Sequence, residues 1–357
     1  MGALDGLKVV EMAAIGPVPL AGMMLADMGA DVVILDKEFD MWAMPKDIMR
    51  RGKRRVELNL KSEEGLKAAT DIINSADILI EGFRPGVMEK LGLGPDAFKE
   101  SNAGLIYGRM TGWGQEGPLS QAAGHDINYI AVTGALHAMG RGESNPTPPL
   151  NLVGDYGGGS LFLMSGILAA LYERSQSGQG QVIDAAITDG VANLMSIFYN
   201  MHKLQMWSPR RASNLLDGAS YYYDTYRTSD DKYISIGSLE PQFYALLREK
   251  LGLKDEEFEQ QIDPRTWPAL KAKVADIIAT KTRDEWCELM EGTDVCFAPV
   301  LDYMEATEYS HNQERGTYFK NELGTQPSPA PRFSRSASQA GGEVEAASID
   351  EVVQSWS

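Results

Sequence analysis

The chain has 357 residues, a formal net charge of −17, 43% hydrophobic and 23% charged side chains, which is the make-up of a globular protein long enough for two domains. Such acidity repels nucleic acid and anionic lipid and argues against both as partners. Two cysteines, Cys287 and Cys296, form no metal or redox spacing, no apolar run reaches 18 residues, and neither a secretory nor a peroxisomal signal is legible, so reduced thiols, no membrane span and a cytoplasmic location are expected.

In chain order, "LKVVEM" (7–12) reads as a short apolar strand, followed by a Gly-Pro loop and a helical run over 19–29. "ADVVILD" (30–36) is a β-branched strand. "RRVELNL" (54–60) alternates apolar and polar residues at strand period, and Ser62 then caps a helix over 62–76. "DILIEGF" (77–83) and "GLIYGRMTGWG" (104–114) supply two more strands. Strands alternating with helices predict a parallel sheet covered by helices, an α/β fold. A glycine-rich hinge is expected over 152–180, its second half a long apolar helix with Gly178 or Gly180 near its end, then a strand and helix start at 181–190. Residues 191–224 read as a largely helical connector. "DKYISIG" (231–237) opens a smaller unit running to about 310, with helical stretches over 241–252 and 266–292 and a strand at 296–302. The Pro-, Ser-, Gly- and Ala-rich segment 324–348 reads as an extended, loosely packed return.

One stretch breaks the acidic trend. Residues 50–61, "RRGKRRVELNLK", carry six basic side chains against one acid, Glu57. A solvated charge cluster, a nuclear signal and an anion site are all compatible with that run alone. A dinucleotide reading also presents itself, because Asp36 ends the second strand where an acid can bind a ribose 2′-hydroxyl. The first turn, "AAIGPVP", opposes it: one glycine and two prolines leave few backbone amides for a pyrophosphate.

Eight stretches occur together in order: "GLKVVEM", "ADMGADVVILDK", "RGKRRVELNLKSEEG", "ADILIEGFRPGVMEKLGLG", "LIYGRMTGWGQEGP", "GHDINYIAVTGALHA", "LVGDYGGGS" and "GQGQVIDAAITDG". This series resembles the family III CoA-transferase superfamily and, within it, the α-methylacyl-CoA racemases. The resemblance covers most of residues 1–190, with weaker traces at "CFAPVLD" and "PAPRFSR". It implies a Rossmann-like large domain over 1–190, with 324–357 returning to it, and a small α+β domain over 225–310. Linkers would span 191–224 and 311–323, and two chains would interlock as a homodimer. The substrate implied is an acyl-CoA thioester of lipid metabolism, with coenzyme A part of the substrate and no metal or redox cofactor.

The family's CoA-contacting positions fall on Lys37, on Leu58, Asn59, Leu60 and Lys61, on Gly82, Phe83 and Arg84, on Lys90, and on the block Gly124, Asp126, Ile127, Asn128 and Tyr129 around His125. Lysine stands at 37 and 90, where related racemases often carry arginine; it keeps the charge and loses the bidentate fork.

By the same resemblance Asp155 is the nucleophile in transferases and a proton carrier in racemases, whereas a histidine at the place of His125 belongs to racemases. Inverting C2 of a 2-methylacyl thioester takes a proton from one face and returns one to the other, which needs two bases. An imidazole titrating near neutrality can give and take a proton, and partial burial raises a carboxyl toward the same ability. The resemblance assigns His125 to the S substrate, Asp155 to the R substrate, and Glu240 of the small domain to orienting His125. The amides of Gly157–Gly159 are the expected cradle for the enolate oxygen. Met195, Met201 and Met206 lie in a segment suited either to a yielding acyl surface or to packing. The alternatives are a CoA-transferase acting through Asp155 and a non-catalytic acyl-CoA binder.

Overall fold

The computed structural model describes residues 1–37 and 46–356. Their contacts divide them into two units: 1–133 with 150–194 and 310–356, and 134–149 with 195–309.

The first unit is built on a parallel sheet. Its strands are β1 (Lys8–Met12), β2 (Asp31–Asp36), β3 (Arg54–Glu57), β4 (Ile78–Glu81), β5 (Ile106–Thr111) and β6 (Val182–Ala186). A tail strand, Glu345–Ala346, joins the edge, so the order is tail–β3–β2–β1–β4–β5–β6. Every pairing is parallel, with Val9 opposite Val32 on one side and Ile78 on the other. Valines and isoleucines of β1, β2 and β4 are buried almost without interruption, the pattern of strands covered on both faces.

Helix α1 (Pro17–Asp27) starts with proline in its first turn, where a missing amide costs nothing. Helix α2 (Glu63–Asn74) is capped by the Ser62 hydroxyl, which accepts the Gly65 amide at 3.1 Å. Helix α3 (Asp126–Val132) begins directly after His125. The expected hinge is instead a π-helix, Leu152–Ser160, in which the Tyr156 amide donates five residues back to Asn151 at 3.2 Å. It runs without a break into α4 (Leu161–Ser177), which ends at Gly178 in the left-handed conformation. Together, 152–177 are long and apolar enough to cross a membrane by length and average composition, although polar residues and glycines interrupt the run. Within the fold, Leu163, Met164, Ile167 and Ala170 are buried, and the Arg174 guanidinium donates to Asp77 at 3.0 Å, as in a helix packed on the sheet. Helix α5 (Ile187–Leu194) follows β6 directly.

The second unit holds an antiparallel sheet of β7 (Tyr223–Arg227), β8 (Tyr233–Gly237) and β9 (Phe297–Val300). Helices α6 (Ser196–Lys203), α7 (Pro241–Leu251), α8 (Trp267–Ile278) and α9 (Arg283–Met290) complete its main elements. The stretch 266–292 is therefore two helices. The first ends at Ile278, and Thr282 opens the second, its hydroxyl accepting the Glu285 amide while Glu285 accepts the Thr282 amide. Residues 134–149 fall in this unit rather than with 1–190, because Arg141 pairs with buried Asp224 and donates to Thr225, while Arg211 donates to the His137 carbonyl.

Residues 311–323, expected as a linker, belong to the first unit and contribute a strand, Tyr318–Asn321, paired with Gly324–Pro327. The rest of the tail is also more ordered than an extended return. Gln326 and the Pro327 carbonyl accept from buried Arg51, and helix α10 (Ile349–Trp356) buries Val352 and Trp356.

Candidate active site

The basic run 50–61 turns mostly inward. Arg51 and Lys53 are buried, Arg51 bidentate on Asp27 and Lys53 on Glu11 at 2.6 Å. Burial pushes Glu11 up and Lys53 down, toward the neutral forms, against the mutual attraction that favours the ion pair. Arg50 and Arg55 both hold Asp36 Oδ2 at 3.0 Å, and the Asp36 side chain has no exposed surface. That carboxylate is already committed, which removes the ribose contact a dinucleotide would need. Neither a solvated cluster nor a free cationic signal is present; Lys61, at the end of the run, does open onto a cavity.

That cavity, of about 1000 Å³, lies beyond the carboxyl ends of β1, β2, β3 and β4 and is lined by Lys37, Leu58, Asn59, Leu60, Lys61, Gly82 and Phe83. A second cavity, of about 720 Å³, is lined by Arg84, Gly124, His125, Asn128, Tyr129 and Asp155. Ile15, Gly82 and Phe83 line both, so the two adjoin where the strand order reverses between β1 and β4, the usual ligand position of an open parallel sheet. Glu81 fixes this junction: its carboxylate accepts the Phe83 amide at 2.7 Å and the Arg109 guanidinium at 3.0 Å.

His125 immediately precedes α3, exposed, with its amide donating to the Asn128 side chain at 3.1 Å. Tyr129, one turn on, stands edge-on to Trp113 with ring centroids 4.8 Å apart and donates its hydroxyl to the Gly124 carbonyl. Gly112 makes room for that ring, since a Cβ there would lie 2.0 Å from it. Asp155 sits in the π-helix, half-buried, against the loop after β1: a Cβ on Gly16 would lie 3.2 Å from its Oδ2. Burial raises the Asp155 carboxyl above the ordinary range, helped by the negative charge of Asp126 and opposed by Asn151 and His125. Burial and the Asp155 charge likewise raise the Tyr129 phenol, while Arg84 lowers it. His125, Asp155, Tyr129 and Arg84 thus share one cavity, a possible proton donor and acceptor beside a cation.

Four expected site residues lie outside both cavities. Lys90 is exposed at the end of a short helix, Val87–Lys90. Asp126 is buried and Ile127 exposed, because successive helix residues point about 100° apart and cannot all face one cavity. Glu240 is in the second unit, exposed, just ahead of α7. Of the expected glycine cradle, Gly158 and Gly159 are buried in the π-helix, packed against Val191, Ile187 and Pro17, and Gly157 is half-buried. Met195 lines a separate cavity of about 730 Å³ inside the second unit, with Phe198 and Trp207, and Met206 is exposed. The sequence reading missed Ile15–Val18, the end of the loop after β1 and the first residues of α1, which line the cavity shared by His125 and Asp155; their Gly-Pro composition was the available signal. Among the described residues, no three His, Cys, Asp or Glu side chains converge as a metal site.

A sequence profile described as CoA-transferase family III matches residues 4–348. The chain belongs to CoA-transferase family III. Among family III relatives, the α-methylacyl-CoA racemase of Mus musculus is 45% identical over 333 residues, covering 93% of this chain and 87% of that protein. The α-methylacyl-CoA racemase of Homo sapiens is 44% identical over 330 residues, covering 92% and 86%. A CAIB/BAIF family protein from Brucella suis superposes with a TM-score of 0.83 at 26% identity, over 96% of both chains. The resemblance read from the sequence, the isomerase class it implied and the α/β family III fold are borne out.

Proposed function

We propose that this chain inverts C2 of 2-methylacyl-CoA thioesters by proton transfer through an enolate, with His125 and Asp155 as the two acid/bases. The observation that carries the reading is their presence in one cavity, with Asp155 raised by burial so that it can hold a proton as well as remove one. His125 takes the proton of the S epimer and Asp155 that of the R epimer, and each returns a proton when the other has removed one. Lys37, Lys61 and Arg84 supply local positive charge for the phosphates of CoA in an otherwise acidic protein, and Leu58–Leu60 and Phe83 line the path between. The reaction is proton transfer and draws on no redox group or metal. A homodimer in the cytoplasm is the proposed setting. Exposed Leu161, Leu168 and Tyr172 on α4, and Ile197 and Tyr199 on α6, support a second copy covering them.

One pure 2-methylacyl-CoA epimer incubated in deuterated water tests the reading. The expected result is deuterium at C2 with formation of the other epimer. His125→Ala and Asp155→Ala should each lower inversion by roughly 10²–10⁴-fold. Residual exchange should survive for the epimer facing the remaining base: R for His125→Ala and S for Asp155→Ala. Inversion at wild-type rate in His125→Ala sinks the two-base mechanism. CoA transfer to an added acid without deuterium at C2 assigns the chain to the transferases through Asp155, and binding without either reaction leaves a non-catalytic binder.

A further inference from the structure

Asp126 follows His125 directly, yet its side chain faces away from the cavity. It is 7% exposed, and its Oδ2 accepts the Asp155 backbone amide at 2.7 Å. Its other oxygen, Oδ1, is buried without a hydrogen-bond partner. Gly154 makes the approach possible: a Cβ there would lie 2.2 Å from Asp126 Oδ2 and 3.0 Å from Ile130 Cγ2. A buried carboxylate oxygen left unsatisfied is costly, and such a group calls for an explanation.

We propose that Asp126 is a positioning residue: its carboxylate ties the start of α3, next to His125, to the backbone of Asp155, so that one side chain sets both groups on the cavity. Its charge beside Asp155 also favours the protonated Asp155 carboxyl. The assignment rests on the reading of Asp155 as a proton carrier. Direct contact with substrate is not part of it, since Asp126 lines neither cavity. The other charged or titratable groups around Asp155 are His125 and Tyr129, from the start and second turn of α3, and Arg84, from the loop after β4 on the same cavity. His125 favours the ionised carboxylate, so Asp126 is the neighbour that opposes ionisation. Two acids with unlike surroundings then divide the work: Asp126 is buried and holds the Asp155 amide, and Asp155 faces the cavity.

The test compares wild type, Asp126→Asn and Asp126→Ala by carbon NMR titration of aspartate side chains, with the Asp155 resonance assigned by its loss in Asp155→Asn. Asparagine keeps an oxygen for the Asp155 amide and removes the charge. In Asp126→Asn the Asp155 midpoint should fall, and the acid limb of kcat/KM for the R epimer should move to lower pH with it. In Asp126→Ala, which also loses the clamp, kcat should drop further while KM for acyl-CoA changes little. An Asp155 midpoint unchanged in Asp126→Asn overturns the proposal, whatever the rate does. So does a wild-type midpoint at or below that of an ordinary aspartate, which decides the matter alone should the variants not fold. If the midpoint falls as expected while wild type places no deuterium at C2, the racemase reading fails; the electrostatic effect of Asp126 on Asp155 is then retained, and its role in proton transfer falls with that reading.

Discussion

Two kinds of charged residue in this molecule answer to different physics. Lys53 and Glu11 form a pair removed from water, 2.6 Å apart, with the Pro19 carbonyl accepting a second Lys53 bond at 3.0 Å. Removing one partner strands the other in the core, so Lys53→Met should destabilise the fold by roughly 3–5 kcal/mol. The double variant Glu11→Leu/Lys53→Met should recover much of that loss, and equal denaturant midpoints for the single and double variants would contradict it. Arg84, by contrast, is exposed on the cavity wall and pairs with no carboxylate among the described residues. Arg84→Ala should leave the denaturation midpoint in place and weaken acyl-CoA binding by roughly 1.5–3 kcal/mol, the worth of a hydrogen bond to a charged group. The deficit should shrink as salt screens the wild-type contact. An unchanged acyl-CoA titration would remove Arg84 from the site. The basic run 50–61 could not be sorted by inspection into these two kinds, because charge is a local property of sequence while its partners, Asp27, Glu11 and Asp36, arrive through the fold.

At the scale of elements, the π-helix 152–160 matters most, since it carries Asp155 and lies tightly against α5. A Cβ on Gly190 would fall 1.9 Å from the Gly158 carbonyl oxygen, and a Cβ on Gly158 2.5 Å from Val191. Backbone cannot give way as a flexible side chain does, so Gly190→Ala must part the two helices. The expected cost is roughly 1–3 kcal/mol of stability, as for other overpacked interiors, together with a loss of C2 exchange as Asp155 shifts. A thermal midpoint and exchange rate both equal to wild type would refute the close-packing account. The sequence showed where most elements lie, because apolar periodicity and caps are local: Ser62 before α2, and Gly178, one of two glycines expected there, after α4. Pro17, read as part of a Gly-Pro loop, in fact opens α1. The sequence misread 152–160 as a hinge, because glycines that permit close packing look the same as glycines that permit bending. The break inside 266–292 was legible in principle, as the spacing of Thr282 and Glu285 is that of a capping box. Helical phase also offered a way to separate Asp126 from His125, since Asp126 and Ile130, four residues apart, share the buried face of α3.

For the molecule as a whole, the parallel sheet was foreseeable, but its strand order was not, because pairing across crossovers depends on contacts distant in sequence. His125 and Asp155 are 30 positions apart, and only the family resemblance proposed that they work together before the fold placed them on one cavity. Glu240 poses the remaining question, for it belongs to the second unit while His125 belongs to the first. In the proposed homodimer, Glu240 of one chain would orient His125 of the other, and this proposal has a distinctive genetic signature. His125→Ala and Glu240→Ala should each be severely impaired when made alone. When the two are co-expressed, a mixed dimer contains one site with His125 from one chain and Glu240 from the other, both intact, and one site lacking both. Random pairing in a symmetric two-chain assembly makes half the dimers mixed with one good site each, so activity should return to about a quarter of wild type. If His125 and Glu240 met within a single chain, every site in the mixture would lack one of them. Activity of the co-expressed pair no higher than the mean of the two single variants would therefore refute the shared site.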